Sequence, residues 1–487
     1  VKKMRADKLK VDTHSLKQLF KKSADVQFQS YTFNRHHVMF ITCDAMVDQR
    51  QLNEVIIPRV QLMFDDLKSR SIENAIMAQL RIPGLKKVEE KEDLLSLVYT
   101  GHLLLYFENS GLLFSSNIAK KPNRNPEETS LEVPVKGPRD NFIEDVSVNI
   151  ALIRKRLPTN SLCVEKFELG KRSKTTVALL YFDDIASTET LASIKEKLER
   201  VDTDIVFSGE ILMESMNINK KLFPRINYTG RPDHAIQSLI NGRFLFFVDG
   251  VAHGVITPVN FFLLLKTSED NENPIIFSSL VRLMRVFGMS VGIMLPAFWL
   301  ALTTFHQNQL PLQLLATVVV VNTGLPFPST IEMLLMLLMF ELFREAGLRL
   351  PSSLGGTIGV VGGLIVGDAA IRAGITSPAM VVVIATSTIA TFTLVNQSLV
   401  MSVSILRICF ILLTSFFGLF GFFLSLYFTV LYLANIRIFG VPYINIAADL
   451  NWQTIKKSLL RLSANQYKKL PNMLNPKDKT RSKRMKK

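Results

Sequence analysis

The sequence is short of the residues that most often carry chemistry. Its three cysteines, Cys43, Cys163 and Cys409, are odd in number and scattered, which argues against a disulfide framework and against a cysteine metal site. There is no phosphate-cradling glycine loop, no metal-spaced cluster and no nucleophile elbow. His36 and His37 are adjacent, so on a strand they point to opposite faces. His102, His234 and His253 stand alone, and Asp183–Asp184 reads as a solvated turn rather than a cation site. Catalysis has nothing here to build on, and no metal or cofactor is implied.

Charge is the second scarcity. Between Val286 and Ile436 only eight residues are Asp, Glu, Lys or Arg: Glu332, Glu341, Arg344, Glu345, Arg349, Asp368, Arg372 and Arg407. The uncharged runs 286–331, 373–406 and 408–436 each exceed the roughly 20 apolar residues that cross a bilayer core. This half is expected to be a membrane domain. The first residues, VKKMRADKLKVDTHSLKQLFKK, are basic without an apolar core. No signal peptide is read there, and the N-terminal region is expected to stay cytoplasmic.

What is abundant is positive charge, unevenly placed. Within a formal net charge of +15, residues 451–487 hold twelve Lys or Arg against Asp478 alone. A basic cluster after a membrane segment reads as a cytoplasmic anchor on anionic lipid. Nucleic acid is the alternative for KDKTRSKRMKK, but no aromatic platform or module accompanies it, so lipid is the expected partner. The organisation expected is a first soluble subdomain (1–119), a polar proline-bearing linker (120–136) and a second soluble subdomain (137–275). A transmembrane domain (276–440) and a basic tail (441–487) follow.

The soluble region reads as α+β or α/β, and the membrane domain as all-α and polytopic. VMFIT and HLLLYF read as strands and QLNEVIIPRVQLMFDDL as a helix. The second block reads helix 142–156, strand 175–182, helices 188–200 and 232–240, and strand 243–249. LLSLVYTGHLLLYFENSGLLF (94–114) and AIQSLINGRFLFFVDGVAHGVI (235–256) share one pattern: helix, Gly, apolar strand, acid, Gly-containing turn, strand. Either one supersecondary unit is duplicated, or two common units recur independently.

In the membrane half, Arg282 and Arg285 precede VFGMSVGIMLPAFWLALTTF, a first span with Pro296 inside it. The positive-inside rule puts these arginines and the basic tail on one side, so full crossings must be even in number. A plain count of spans gives five, with ILRICFILLTSFFGLFGFFLSLYFTVLYLAN taken as one. LQLLATVVVVNTGLPFP, short and ending in a Pro-rich break, is the segment expected to be embedded. That leaves about four crossings plus embedded or re-entrant helices.

Residues 354–374, LGGTIGVVGGLIVGDAAIRAG, repeat glycine every fourth position. On a helical wheel at about 100° per residue, Gly355, Gly359, Gly363 and Gly367 share one face, with Thr357, Val361, Leu364, Ile365, Asp368 and Arg372 opposite. Small residues let membrane helices approach closely, so the glycine face is a packing ridge. The opposite face either lines a lumen or packs as well, with Asp368–Arg372 as an i,i+4 ion pair.

Ionisable groups inside a membrane are functional candidates. Glu332 either caps its own helix, as an acid in the first turn, or binds a cation. Glu341, Arg344, Glu345 and Arg349 gather where a helix meets the interface, spaced for Glu341–Arg344 and Glu345–Arg349 pairs. Snorkelling to the membrane surface is the competing reading.

FELFREAGLRLPSSLGGTIGVVGGLIVGDAAIRAG, preceded by LPFPSTIEMLLM and followed by ITSP, resembles the A subunit of the GerA family of spore germinant receptors. GPRDNFIEDVSVNIALIRKRL (137–157) and RPDHAIQSLINGRFLFFVDG (231–250) resemble that family's soluble-region segments, in the family's order. The resemblance implies a multi-pass protein of the spore inner membrane that helps trigger germination when nutrients appear. It implies two partners, a membrane-spanning B subunit that binds the nutrient and a lipoprotein C subunit. It also implies a homo-oligomer, a pentamer, around a pore for monovalent cations. Alternatives are the stage V sporulation AF-like accessory proteins, a transporter-type subunit and a non-conducting signalling subunit. REAGLRLP favours the receptor branch.

Overall fold

Apolar residues occupy both faces of the central strands of the soluble region, so each sheet has to bury itself under other elements. The computed structural model describes residues 12–65, 76, 80, 82, 84–88, 91–120, 140–218, 222–349, 365–444, 452–463 and 472–477. The chain divides into two units, one comprising residues 1–220, 226–258 and 467–487, the other 221–225 and 259–466.

The first unit runs α1 (Thr13–Leu19), β1 (Val26–Phe33), β2 (His36–Cys43), α2 (Ile57–Asp65), β3 (Lys86–Lys87), α3 (Lys91–Tyr99), β4 (His102–Phe107) and β5 (Leu112–Asn117). A second series follows: α4 (Val146–Arg156), β6 (Leu162–Leu169), β7 (Thr175–Phe182), α5 (Thr188–Glu199), α6 (Gly209–Ser215), β8 (Asn227–Thr229), α7 (Pro232–Ile240), β9 (Phe244–Val248) and β10 (Gly254–Thr257). The two sheets have the orders β1-β2-β4-β5-β3 and β6-β7-β9-β10-β8, and their strand pairs are antiparallel. Position for position this is one topology made twice. The pattern shared by 94–114 and 235–256 is α3-β4-β5 in one copy and α7-β9-β10 in the other. Gly101 and Gly242, both in left-handed backbone, join helix to strand at equivalent places. With antiparallel sheets the region is α+β, and the α/β option falls away.

Alternation assigns the two faces of the first sheet. Val38, Phe40, Leu103 and Leu105 share a core with Val60, Met63 and Phe64 of α2. Met39, Ile41 and Leu104 share another with Leu94 and Val98 of α3. The subdomains meet at a short parallel bridge, where the Ala24 N–H donates to the Val164 carbonyl and the Val164 N–H to the Lys22 carbonyl, both at 3.0 Å. Beside it, buried Arg154 of α4 reaches Asp25 of the other subdomain. Of the linker 120–136, only Lys120 is among the described residues.

The second unit contains α8 (Ile275–Thr304), α9 (Leu312–Asn322), α10 (Ser329–Arg349), α11 (Gly367–Arg372), α12 (Pro378–Thr391), α13 (Gln397–Asn435) and α14 (Trp452–Leu459). α8 and α13 are long and apolar enough to cross a membrane; α9 and α12 are shorter apolar helices. α8 and α12 pack closely because Gly288 and Gly292 lie between them. A methyl group at Gly292 would sit 2.7 Å from Thr391 Cγ2, and one at Gly288 2.7 Å from the Ala390 carbonyl oxygen. This small-residue ridge, four residues apart in VFGMSVGIM, was not singled out by the sequence reading, which looked to 354–374.

α13 is not one rod. Gly418 has φ 57° and ψ −138°, and the chain reverses there. Ser402, on the first leg, donates to the Leu222 carbonyl at 2.7 Å. Tyr432, on the second leg, has its ring 6.2 Å from that of Phe223, the neighbouring residue. A straight helix would hold positions 402 and 432 about 45 Å apart. The rings of Phe410 and Phe422, 6.0 Å apart, record the same reversal. The stretch read as one span is a hairpin, and hydropathy is blind to a one-residue turn inside an unbroken apolar run.

Candidate functional site

The polar interior of the helical unit centres on Arg407, in the first leg of α13, whose side chain has no exposed surface. Its Nη2 donates to Glu341 Oε1 at 2.5 Å and its Nη1 to Ser387 Oγ at 3.0 Å, with Thr388 Oγ1 at 3.5 Å. Glu341 Oε2 pairs with Arg344 Nη2 at 2.6 Å, and Arg344 Nη1 donates to Ser404 Oγ at 2.8 Å. The Ser387 hydroxyl in turn donates to the Gly292 carbonyl at 2.9 Å. One carboxylate therefore binds two guanidiniums, and the network joins α8, α10, α12 and α13. Desolvating such charges is costly unless each is paired and hydrogen-bonded, which explains the ring of serine and threonine hydroxyls.

The Glu341–Arg344 pair forms at the spacing the sequence allows. Its location differs from the expected snorkelling at an interface, because Glu341 turns inward to the buried Arg407. Glu345 is exposed, and the side chain of Arg349 lies outside the described residues. The sequence reading counted Arg407 but gave it no role. The signal was there, a lone arginine between the uncharged runs 373–406 and 408–436.

Glu332 is 2% exposed. Its Oε1 accepts from Thr376 Oγ1 (2.8 Å), the Ser377 N–H (2.6 Å) and Ser377 Oγ (2.9 Å). Ser377 is the N-cap of α12, and its hydroxyl oxygen accepts from the Met380 N–H at 3.3 Å. Glu332 lies in the first turn of its own helix, α10. Its carboxylate also meets the N-terminus of a neighbouring helix, α12, whose dipole favours an anion. Ser377 also lines a cavity of about 220 Å³ with Trp299, Thr303, Leu314, Val318 and Met380.

In α11, Gly367 and Ala370 are buried, whereas Asp368 and Arg372 are exposed, as is Ile365 just before it. A methyl at Gly367 would lie 3.7 Å from Val381 Cγ1 of α12. Asp368 and Arg372 pair at 2.8 Å. Gly355, Thr357, Gly359, Val361, Gly363 and Leu364 lie outside the described residues.

At the start of α8, Arg282 and Arg285 are buried and both bind Asp270, at 2.8 Å and 3.1 Å. Their remaining donors reach the carbonyls of Leu460 and Leu265. The isolated histidines have ordinary partners: His102 bonds Thr100, His234 bonds Asn227 and the His253 ring meets Tyr228 edge-on, while of the adjacent pair His37 bonds Thr32 and His36 stacks on Phe64. Asp183 is occupied by Lys22 and Lys477. Among the described residues, no group of three or more His, Cys, Asp or Glu converges on a point.

A duplicated α+β unit and an apolar helical unit knitted by buried charges define a membrane protein with a soluble N-terminal region, in which no catalytic constellation has been found among the described residues. The chain belongs to the family described as Bacillus/Clostridium GerA spore germination protein, whose profile matches residues 14–473. It is 39% identical over 449 residues to Spore germination protein XA of Bacillus anthracis, covering 91% of each chain. To Spore germination protein KA of Bacillus subtilis (strain 168) it is 31% identical over 446 residues, covering 91% of this chain and 82% of the relative. The crystal structure of the N-terminal domain of the A subunit of the Bacillus megaterium spore germinant receptor GerK3 covers 53% of this chain and 99% of its own. The identity is 22% and the TM-score 0.40. The likeness to A subunits of the GerA family, first read from 340–374 and its flanks, is thereby established.

Proposed function

We propose that this A subunit assembles into a nutrient-gated channel for monovalent cations in the spore inner membrane, together with a nutrient-binding B subunit and a lipoprotein C subunit. The observation that carries the reading is α11. Its Gly367 and Ala370 are buried, yet the side chains of Asp368 and Arg372 are 54% and 79% exposed within an apolar unit. Charges facing lipid cost several kcal/mol each, so this face belongs to water. In a ring of copies, a pentamer by family likeness, that water is the lumen.

The topology supports the same reading. Glu332 lies against Ser377, while Arg407 holds both Glu341 and Ser387, so α10 and α12 run in the same direction. Residues 350–364 of the chain between them lie outside the described residues. An even number of crossings leaves the soluble region and the basic tail on the same, cytoplasmic, side. α9, about 16 Å long, is too short to span.

Reconstitution of the three subunits in liposomes tests the proposal. A nutrient-dependent K⁺ current whose selectivity or conductance changes in Asp368→Asn and Val361→Ala supports it. Stoichiometric nutrient uptake without current makes the protein a transporter, and neither current nor uptake makes it a scaffold.

A further inference from the structure

The two halves of α10 are held in different ways. In the N-terminal half Met333, Met336 and Leu337 are buried against neighbouring helices, and Glu332 is bound to the start of α12. From Leu338 to Gly347 no residue is fully buried, and Leu338 and Leu342 are 61% and 60% exposed. Among the described residues, the contacts of this second half include Glu341 with Arg407 and Arg344 with Ser404. Arg344 belongs to the same helix as Glu341, so among the described residues Glu341–Arg407 is a charged link between α10 and the α13 hairpin. A buried ion pair is lost whole when either charge goes. The geometry points to a lever: α10 pivots about Met333–Leu337, and Glu341–Arg407 is the latch that holds its C-terminal half down. That half leads in sequence into the glycine-rich segment. In its conduction arm the inference rests on the channel reading; in its structural arm it does not.

The test uses the full chain in lipid nanodiscs with Cys409, the exposed cysteine, replaced by serine. Spin labels at Leu342→Cys and Val382→Cys report the latch half of α10 against α12. Labels at Ile331→Cys and Val382→Cys report the packed half. Arg407→Gln should lengthen the 342–382 distance by about 5 Å, on the order of a helical turn, and leave 331–382 unchanged. Arg344→Gln, which keeps one carboxylate facing one guanidinium, should move neither. The charge swap Glu341→Arg with Arg407→Glu should restore the wild-type distance. If Arg407→Gln cannot be purified, Arg407→Lys keeps the charge but loses the fork that also holds Ser387, and should lengthen 342–382 by a smaller amount. An unchanged 342–382 distance in the folded Arg407 variant, or a folded swap that does not restore it, overturns the latch. In liposomes without nutrient, latch-broken variants should leak cations faster by on the order of a hundredfold. A distance change without any leak supports the latch and overturns the channel reading instead.

Discussion

Arg154 and Asp25, 129 residues apart, form a two-pronged ion pair in the interior between the two soluble subdomains, with Nε–Oδ2 at 2.8 Å and Nη2–Oδ1 at 3.0 Å. The guanidinium also lies 4.2 Å from the centre of the Tyr99 ring and donates to Ser23 Oγ and the Thr159 carbonyl. A fully buried cation thus has a carboxylate, two neutral acceptors and an aromatic face. Removing one member leaves the other charged and dry. Arg154→Ala is expected to cost about 3–5 kcal/mol, seen as a lower Tm for the soluble region by calorimetry of the full chain. Arg154→Met with Asp25→Leu should recover most of it, since apolar replacement removes the uncompensated charge. A single variant that melts with the wild type would show that the pair does not hold the subdomains.

Asp183 makes a pH prediction. The hydrogen bond from Lys22 holds its carboxyl below the ordinary value of 3.8; partial burial opposes this and Lys477 adds to it. A carboxylate whose folded pKa is depressed contributes stability that is present above the unfolded value and is lost as pH falls through the folded one. Asp183→Asn should therefore flatten the decline of Tm below about pH 4. Both side chains are partly exposed, so the effect near neutrality should stay within about 1 kcal/mol. Parallel Tm–pH curves for the two proteins through the acid range would contradict it.

Glu332→Ala should strip three donors of their acceptor, at about 1–3 kcal/mol for each buried group left unpaired. Glu332→Gln keeps an acceptor oxygen and should lose much less. Melting both variants across a series of KCl concentrations separates a cap from a cation site. A cap predicts Tm differences independent of K⁺, and a site predicts wild-type stabilisation that rises with it.

Gly292→Leu should force α8 away from α12 and destabilise the helical unit by about 1–3 kcal/mol. Gly347 on α10 faces open space, with nothing within 4 Å of an added methyl. There Gly347→Ala should be neutral or stabilising by up to about 1 kcal/mol. The comparison needs only detergent-solubilised protein and a thermal melt. Equal effects at the two glycines would mean that the α8–α12 approach is looser than drawn.

What could be read from the residues was what is local in the chain. Helix, glycine and alternating strand repeat within about 20 residues, so the duplication at 94–114 and 235–256 was visible. So was the Glu341–Arg344 spacing, because three residues is less than one helical turn. Sheet order was not visible, since β3 and β8 join their sheets at the far edge, beyond the strands that follow them. Arg407 lies 66 residues from Glu341, and nothing in either neighbourhood names the other. The role of Glu332 was missed by one helix for the same reason: its donors are 44 and 45 residues away.

The reversal at Gly418 has a genetic consequence. The backbone there lies where side-chain-bearing residues scarcely go, and a methyl would meet the Phe305 ring at 2.9 Å. The mostly apolar sequence on either side is helical, so the competing structure is a single rod of about 58 Å, nearly twice the thickness of a bilayer core. One missense change in the Gly418 codon therefore bears on more than local fit. It tilts the choice between a hairpin that returns to its starting side and a rod that does not, and with it the compartment into which the basic C-terminus is delivered.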